Sequence, residues 1–191
     1  MLVLFSTLIS GCASSSGGLA SHYNERLNHG WDALQRQDYK TAYESFLEIA
    51  AWDSRAQVKL GAMHQKGLGV PQDYKEAVRW FRHSTEHKNA YGQYNLGWMY
   101  ANGQGVPQDY KEAVRWFRLS ADQGFGDAQY NLGWMYYHGS GVPKDYVLTH
   151  TWMNLAASNG NEDAIKKRNI VEKKMSPPQI EKAQEMAGNW T

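Results

Sequence analysis

The sequence predicts an all-α fold, an α/α solenoid of stacked helix pairs, on three observations. Residues 69–82 recur letter for letter at 105–118, and a looser copy starts at Gly141, so the step is 36 residues both times. A second block keeps that step: Leu60-Gly61-Ala62-Met63, Leu96-Gly97-Trp98-Met99, Leu132-Gly133-Trp134-Met135. Each copy holds two stretches of helical period parted by a Gly/Pro turn. Self-similarity at a fixed period of this size marks a repeat array, in which no unit buries both faces alone and neighbours must stack.

The chain divides into residues 1–12, 13–21, a degenerate leading unit at 22–53, three units at 54–88, 89–124 and 125–160, and a cap at 161–191. The first segment is an apolar run ending in Ile9-Ser10-Gly11-Cys12, too short to span a bilayer as a helix. It resembles the end of a bacterial lipoprotein signal peptide, with Cys12 as the lipidated residue. No Lys or Arg precedes Cys12, which points to a start upstream of Met1. Ser14-Ser15-Ser16-Gly17-Gly18 reads as a flexible tether, residues 13–21, with a mean reach on the order of 15 Å. By analogy with such lipoproteins, Ala13 after the cysteine points to an outer-membrane anchor facing the periplasm. Cys12 is the only cysteine, so no internal disulfide can form.

The leading unit has its first helix at 22–37. Its Asp38-Tyr39, Ala42 and Phe46 echo Asp73-Tyr74, Ala77 and Phe81, but Gln35-Arg36-Gln37 replaces the Gly-x-Gly turn. In the full units, Gly67, Gly103 and Gly139 end the first helix, and Pro71, Pro107 and Pro143 stop it from resuming. Asp73, Asp109 and Asp145 cap the second helix, and Glu76 and Glu112 are placed to complete a capping box; Leu148 leaves the third box half made. Tyr74, Ala77, Val78, Trp80 and Phe81 make that helix's apolar face. Gly124 and Gly160 close it, while Lys88 in the first unit predicts a looser turn. Gly61, Gly97 and Gly133 sit mid-helix at about 1 kcal/mol each against alanine, which predicts a neighbouring helix in close approach. In the cap, a helix over 161–174 has Ala164, Ile165 and Val171 on its apolar side. A second helix starts at Ser176-Pro177-Pro178, with Ile180, Ala183 and Ala187 packing back.

The pattern Ala-x-x-x-Leu-Gly-x-x-Tyr, Gly-x-Gly-Val, Asp-Tyr and Ala-x-x-Trp resembles the Sel1-like repeat, a relative of the tetratricopeptide repeat. The matching residues include Leu96, Gly97, Tyr100, Gly103, Gly105, Asp109, Ala113, Trp116 and Leu132, Gly133, Tyr136, Gly139, Gly141, Asp145, Trp152. The first unit departs at His64 and the third at Thr149. The resemblance covers residues 54–160 and implies a non-catalytic adaptor for a protein or peptide partner.

Few features point to chemistry. His83 and His87 lie four apart with Glu86 between them, a spacing able to hold a metal, but no third ligand is evident and a solvated helix face is expected. No nucleophile motif, phosphate loop or dinucleotide fingerprint occurs, so neither an enzyme nor a cofactor is expected. A formal net charge of +1 argues against a nucleic-acid surface, and the basic run between Lys166 and Lys174 is expected to be solvated. The aromatic surplus is more telling. Trp80, Trp116 and Trp152 stand at the patterned position and are expected in the core. Trp98 and Trp134 stand where the pattern is loose. With Tyr94, Asn95, Tyr130, Asn131 and Tyr137 they are the groove candidates, since exposed Trp and Tyr anchor binding hot spots. The alternatives are that these rings glue units together, or stack on the glycan of peptidoglycan. A hydrolase, as in cysteine-rich relatives, lacks both disulfides and a catalytic constellation here.

Overall fold

The computed structural model describes residues 16–190, with side chains from His22 onward. Those residues form α1 (Ser16–Gln35), α2 (Tyr39–Ile49), α3 (Ser54–Lys66), α4 (Tyr74–Glu86), α5 (Ala90–Asn102), α6 (Tyr110–Ala121), α7 (Gly126–His138), α8 (Tyr146–Ser158), α9 (Glu162–Glu172) and α10 (Pro177–Gly188), with no strand among them. Consecutive helices pair as α1–α2, α3–α4, α5–α6 and α7–α8, each pair packs on the next, and α9 and α10 both close over α8. No helix of the described residues is long and apolar enough to cross a membrane. Cys12 and residues 13–15 lie outside the described residues. The rest of the expected tether, 16–21, is the start of α1. Extending an existing helix gains one backbone hydrogen bond per residue fixed, so the helix runs on through Leu19 and Ala20 despite the two glycines.

The mid-helix glycines are explained by their partners. A methyl group placed on Gly61 would lie 2.6 Å from the Phe81 ring, and one on Gly97 would lie 2.9 Å from that of Phe117. In the third unit the partner is Met153, 3.1 Å from such a methyl on Gly133. The leading unit uses the same device, with Gly30 against Phe46 at 2.7 Å. The buried rings of Phe46, Phe81 and Phe117 fill the space that a first-helix side chain would need.

The caps form as expected, the boxes do not. Asp73 accepts from the N–H groups of Lys75 and Glu76, and Asp109 from those of Lys111 and Glu112. Glu76 and Glu112 instead pair with Arg79 (3.0 Å) and Arg115 (3.3 Å). The N–H that each would accept is already taken: Asp73 donates to the His64 carbonyl and Asp109 to that of Tyr100, tying each second helix to the end of the first. A reciprocal box exists in α10, where Ser176 N–H donates to Gln179 Oε1 at 2.8 Å.

Lys88 corrects the expectation of a looser turn, and Gln37, where the Gly-x-Gly is missing, behaves in the same way. Both adopt the left-handed conformation, φ 55 and φ 60, that glycine supplies at Gly124 (φ 81) and Gly160 (φ 89). The turns are therefore as tight as elsewhere, at an intrinsic cost of about 1–2 kcal/mol in each non-glycine residue. Trp152 is fully buried, whereas Trp80 and Trp116 are half-buried. The cap makes the difference: Trp190 of the chain end lies 4.6 Å from Trp152, while Trp116 carries the Arg115 guanidinium at 4.3 Å. Ile165 is exposed; Ala164 and Val171 hold α9 in place, and Ala183 holds α10.

An amide relay runs through the stack. Gln57 donates to the Ala50 carbonyl (2.7 Å) and Gln129 to that of Ala121 (3.0 Å), each bridging to the preceding pair. Gln93 and Gln129 in turn accept from Gln123 (2.7 Å) and Asn159 (3.0 Å) at the end of their own second helix. In the first unit that donor position is His87, and the buried Oε1 of Gln57 has no partner. We expect His87→Gln with Lys88→Gly to restore the amide and relax the turn, adding about 1–2 kcal/mol. A urea midpoint that stays put or falls would show that neither term matters.

Asp53 joins the leading pair to the first unit. It is buried, caps α3 through Arg55 N–H (2.6 Å), pairs with the Arg55 guanidinium (2.8 Å) and accepts from the Tyr23 hydroxyl. Burial pushes its carboxyl up, but the hydrogen bonds from Arg55 and Tyr23 and the Arg55 charge outweigh that and hold it below the usual carboxylate range. A depressed carboxylate stabilises fully above its unfolded pKa of about 3.9 and loses that contribution as pH falls through the folded value. Acid should therefore loosen α1–α2 below about pH 4. Hydrogen exchange in α1 read against pH checks this: Asp53→Asn should flatten the dependence, and an unchanged profile would dismiss Asp53 as its source.

Candidate functional site

The groove candidates lie on the first helices, and the 36-residue step lines them up. Lys59, Asn95 and Asn131 share one position, and Ala62, Trp98 and Trp134 another. One further step leads into α9, at Lys167 and Ile170. The cap helix therefore extends the first-helix wall.

The structure sorts the candidates. Tyr94 is half-buried and packs on two rings, Phe125 of the next unit at 5.1 Å and Phe117 of its own at 5.9 Å, and burial pushes its hydroxyl up. Asn95 donates to the Tyr91 carbonyl of its own helix at 2.8 Å. Trp98 is half-buried and packs against both the first-unit and third-unit clusters. Tyr130, Trp134 and Tyr137 form a row of near-parallel rings, with centroids 6.4 and 5.5 Å apart and planes tilted by 7° and 11°.

Two clefts flank this row. One, of about 410 Å³, is lined by Trp98, Asn131, Trp134 and His138 among others. The other, of about 250 Å³, lies between α7 and α9 against Trp134, Tyr137, Met153, Lys167, Ile170 and Val171. Trp134 is the shared wall. Tyr94, Asn95 and Tyr130 line neither.

Sequence reasoning missed the lysines. Lys167 Nζ stands 4.5 Å over the Trp134 ring, and Lys174 Nζ stands 4.9 Å over Tyr137 and donates to its hydroxyl at 2.6 Å. The basic run was expected to be solvated; two of its members lie on the aromatic row, because the step of 36 puts Lys167 on the Asn131 position beside Trp134. A related pair sits at the other end, where Lys59 stands 4.3 Å over Trp31. Also unforeseen was His150, fully buried, whose Nε2 meets Glu172 Oε1 at 2.7 Å and fastens α9 to α8. The available signal was a histidine where the other units have Val78 and Val114.

His83 and His87 are exposed, with His83 3.7 Å from Glu86. Among the described residues no group of three or more His, Cys, Asp or Glu side chains is placed to hold a metal ion.

Three consecutive matches to the Sel1 repeat cover residues 54–87, 90–125 and 126–161, more than half of the chain. The chain belongs to the Sel1 repeat family. Its fold is similar to that of c5321, described as a protective antigen present in uropathogenic Escherichia coli strains and displaying an SLR fold. That match has a TM-score of 0.74 and 35% identity over 78% of this chain and 32% of that one. A Sel1 repeat protein from Oxalobacter formigenes matches with a TM-score of 0.72 and 27% identity, over 76% of this chain and 58% of the other. Helicobacter pylori cysteine rich protein B, at 22% identity and a TM-score of 0.55, covering 66% of this chain and 95% of that one, shows the shared fold alone. The chain thus spans about a third and somewhat over half of the first two relatives' lengths. No curated protein matches it. Sel1 repeats generally serve as non-catalytic scaffolds for protein–protein interaction.

One titration tests the charge around the aromatic row. The hydrogen bond from Lys174, then the charges of Lys174, Lys144 and Lys167, hold the Tyr137 hydroxyl below the usual tyrosine value. Ultraviolet titration should show an early-ionising tyrosine that disappears in Tyr137→Phe and moves up in Lys174→Met. A curve indifferent to both changes would remove the lysines from the site.

Proposed function

We propose that this Sel1 repeat protein is a non-catalytic scaffold of the bacterial cell envelope. It binds a protein or peptide along its first-helix groove and is anchored through lipid at Cys12, in the outer membrane facing the periplasm. The observation that carries the binding reading is Trp134, a half-buried indole standing between two clefts, with Trp98 one unit away in the larger of them. An indole presented at a cleft edge supplies much contact area for little lost side-chain freedom, which suits a hot spot. The envelope address rests on the apolar run ending at Cys12 and on Ala13 after it. A second reading, a module for peptidoglycan glycan, draws on the near-parallel Tyr130, Trp134 and Tyr137 rings.

A crosslinking pull-down from the source organism's envelope extract tests both. The scaffold reading expects one dominant protein, lost with Trp98→Ala/Trp134→Ala while far-ultraviolet circular dichroism is unchanged. Retention of that protein by the variant would reduce both tryptophans to packing between units. Wall fragments without protein would favour the glycan module.

A further inference from the structure

The smaller cleft, between α7 and α9, carries a charge pattern that specifies its occupant; this rests on the scaffold reading above. Lys144, Lys167 and Lys174 converge on Trp134, Tyr137 and Tyr146, with each Nζ between 4.5 and 5.8 Å from one or two of these ring centroids. None of the three forms an ion pair among the described residues. The neighbouring acids are otherwise engaged. Asp163 takes Lys166 at 3.3 Å, and Glu172 takes His150 and Arg168. Lys167 therefore stands in the cleft wall, with Lys144 and Lys174 beside it over Tyr137 and Tyr146, none of them ion-paired to a carboxylate among the described residues, and the lowered Tyr137 hydroxyl reports the same local positive potential.

Below the lysines the cleft is apolar. Met153 and Val171 are buried in its floor, and Trp134 and the exposed Ile170 form its sides. Its volume of about 250 Å³ suits one large apolar side chain. Lys167 lies on α9 and Lys174 two residues past its end, and they stand over Trp134 and Tyr137 of α7, whose ring centroids are 5.5 Å apart. In an extended chain alternate side chains share a face, so residues i, i+2 and i+4 present about 13 Å of one side to such a surface.

We propose that this cleft binds an extended acidic segment of a partner protein, an apolar side chain entering the slot over Met153 and Val171 while carboxylates two residues to either side, on the same face of the strand, meet Lys167 and Lys174. Lys144 adds charge over Tyr137 and Tyr146. A bilayer surface bearing anionic headgroups would match the lysines but, being flat, would leave the apolar slot unfilled.

The test titrates the purified full chain with a fluorescein-labelled peptide, Gly-Ser-Glu-Ser-Phe-Ser-Glu-Gly, and with its twin carrying Gln for both Glu residues. The acidic peptide should bind about tenfold more tightly, and added salt should erase the difference. Lys167→Gln/Lys174→Gln should bring the acidic peptide down to its twin's affinity. A Trp98→Ala variant, changed in the other cleft, should keep the preference. Equal affinity for both peptides, absence of binding by either, or a preference that survives loss of both lysines overturns the proposal. Lysine-dependent sedimentation with vesicles containing an anionic phospholipid, in the absence of peptide preference, would assign the surface to a membrane instead. If the pull-down partner is lost with Trp98→Ala/Trp134→Ala but kept by the double lysine variant, the scaffold reading stands and the acidic segment falls.

Discussion

Each helix pair closes over a side chain that is not there. Gly30, Gly61 and Gly97 leave room for the rings of Phe46, Phe81 and Phe117, and Gly133 leaves room for Met153. The separation of the two helices is set by that fit, and with it the place where the second helix begins. Only at that separation can Asp73 and Asp109 donate to carbonyls at the end of the preceding helix while their side chains cap the next. The intrinsic penalty of a mid-helix glycine, about 1 kcal/mol, is outweighed by burial of a whole aromatic ring, about 1.5–3 kcal/mol. A single ring-and-glycine fit thus fixes hairpin geometry, cap geometry and the angle at which the next unit is presented.

Between units the contacts are of another kind. Gln57 and Gln129 reach back to carbonyls of the preceding pair, and the second glycine of each turn lies tight on a backbone carbonyl one unit earlier, Gly105 on Tyr74 and Gly141 on Tyr110. Polar contacts have strict geometry, so they set register where the apolar contacts alone would allow sliding. The same step carries the first-helix positions into α9 and brings lysines over the aromatic row of α7.

What the sequence made legible was whatever is local and repeated. The turns at Gly67, Gly103 and Gly139, the Asp caps and the helix pairs are written in residues a few places apart, and the repetition removes ambiguity. The departures came where the outcome depends on contacts that the local spacing does not show. Glu76 and Glu112 matched a capping box by spacing, but the N–H that they would have accepted belongs to a carbonyl of the previous helix. Trp80, Trp116 and Trp152 look alike in sequence, and only the last has a cap helix to cover it. Lys88 and Gln37 show that the fold imposes the left-handed turn even where no glycine announces it. At the candidate site Trp98 and Trp134 were singled out because the pattern is loose there, and both line clefts. Tyr94 and Asn95 were named with them, and the contacts they make are to Phe125 of the next unit and to their own helix. Lys167 and Lys174 were read along α9 as a charge run, and their meaning emerged only across the step to α7.

The glycine that rests on the preceding unit's backbone has a consequence for how such chains change length. Its contact is with a main-chain atom, so it is indifferent to which side chains the earlier unit carries. Any unit that carries this turn between its helices can follow any unit that begins its second helix in this way. Duplication or deletion of one period leaves every joint of the same type, and the two differing ends keep their own neighbours. The fixed step acts as a ruler: it sets how far apart two surface features stand, and a whole period is the smallest change in that spacing that the joints permit.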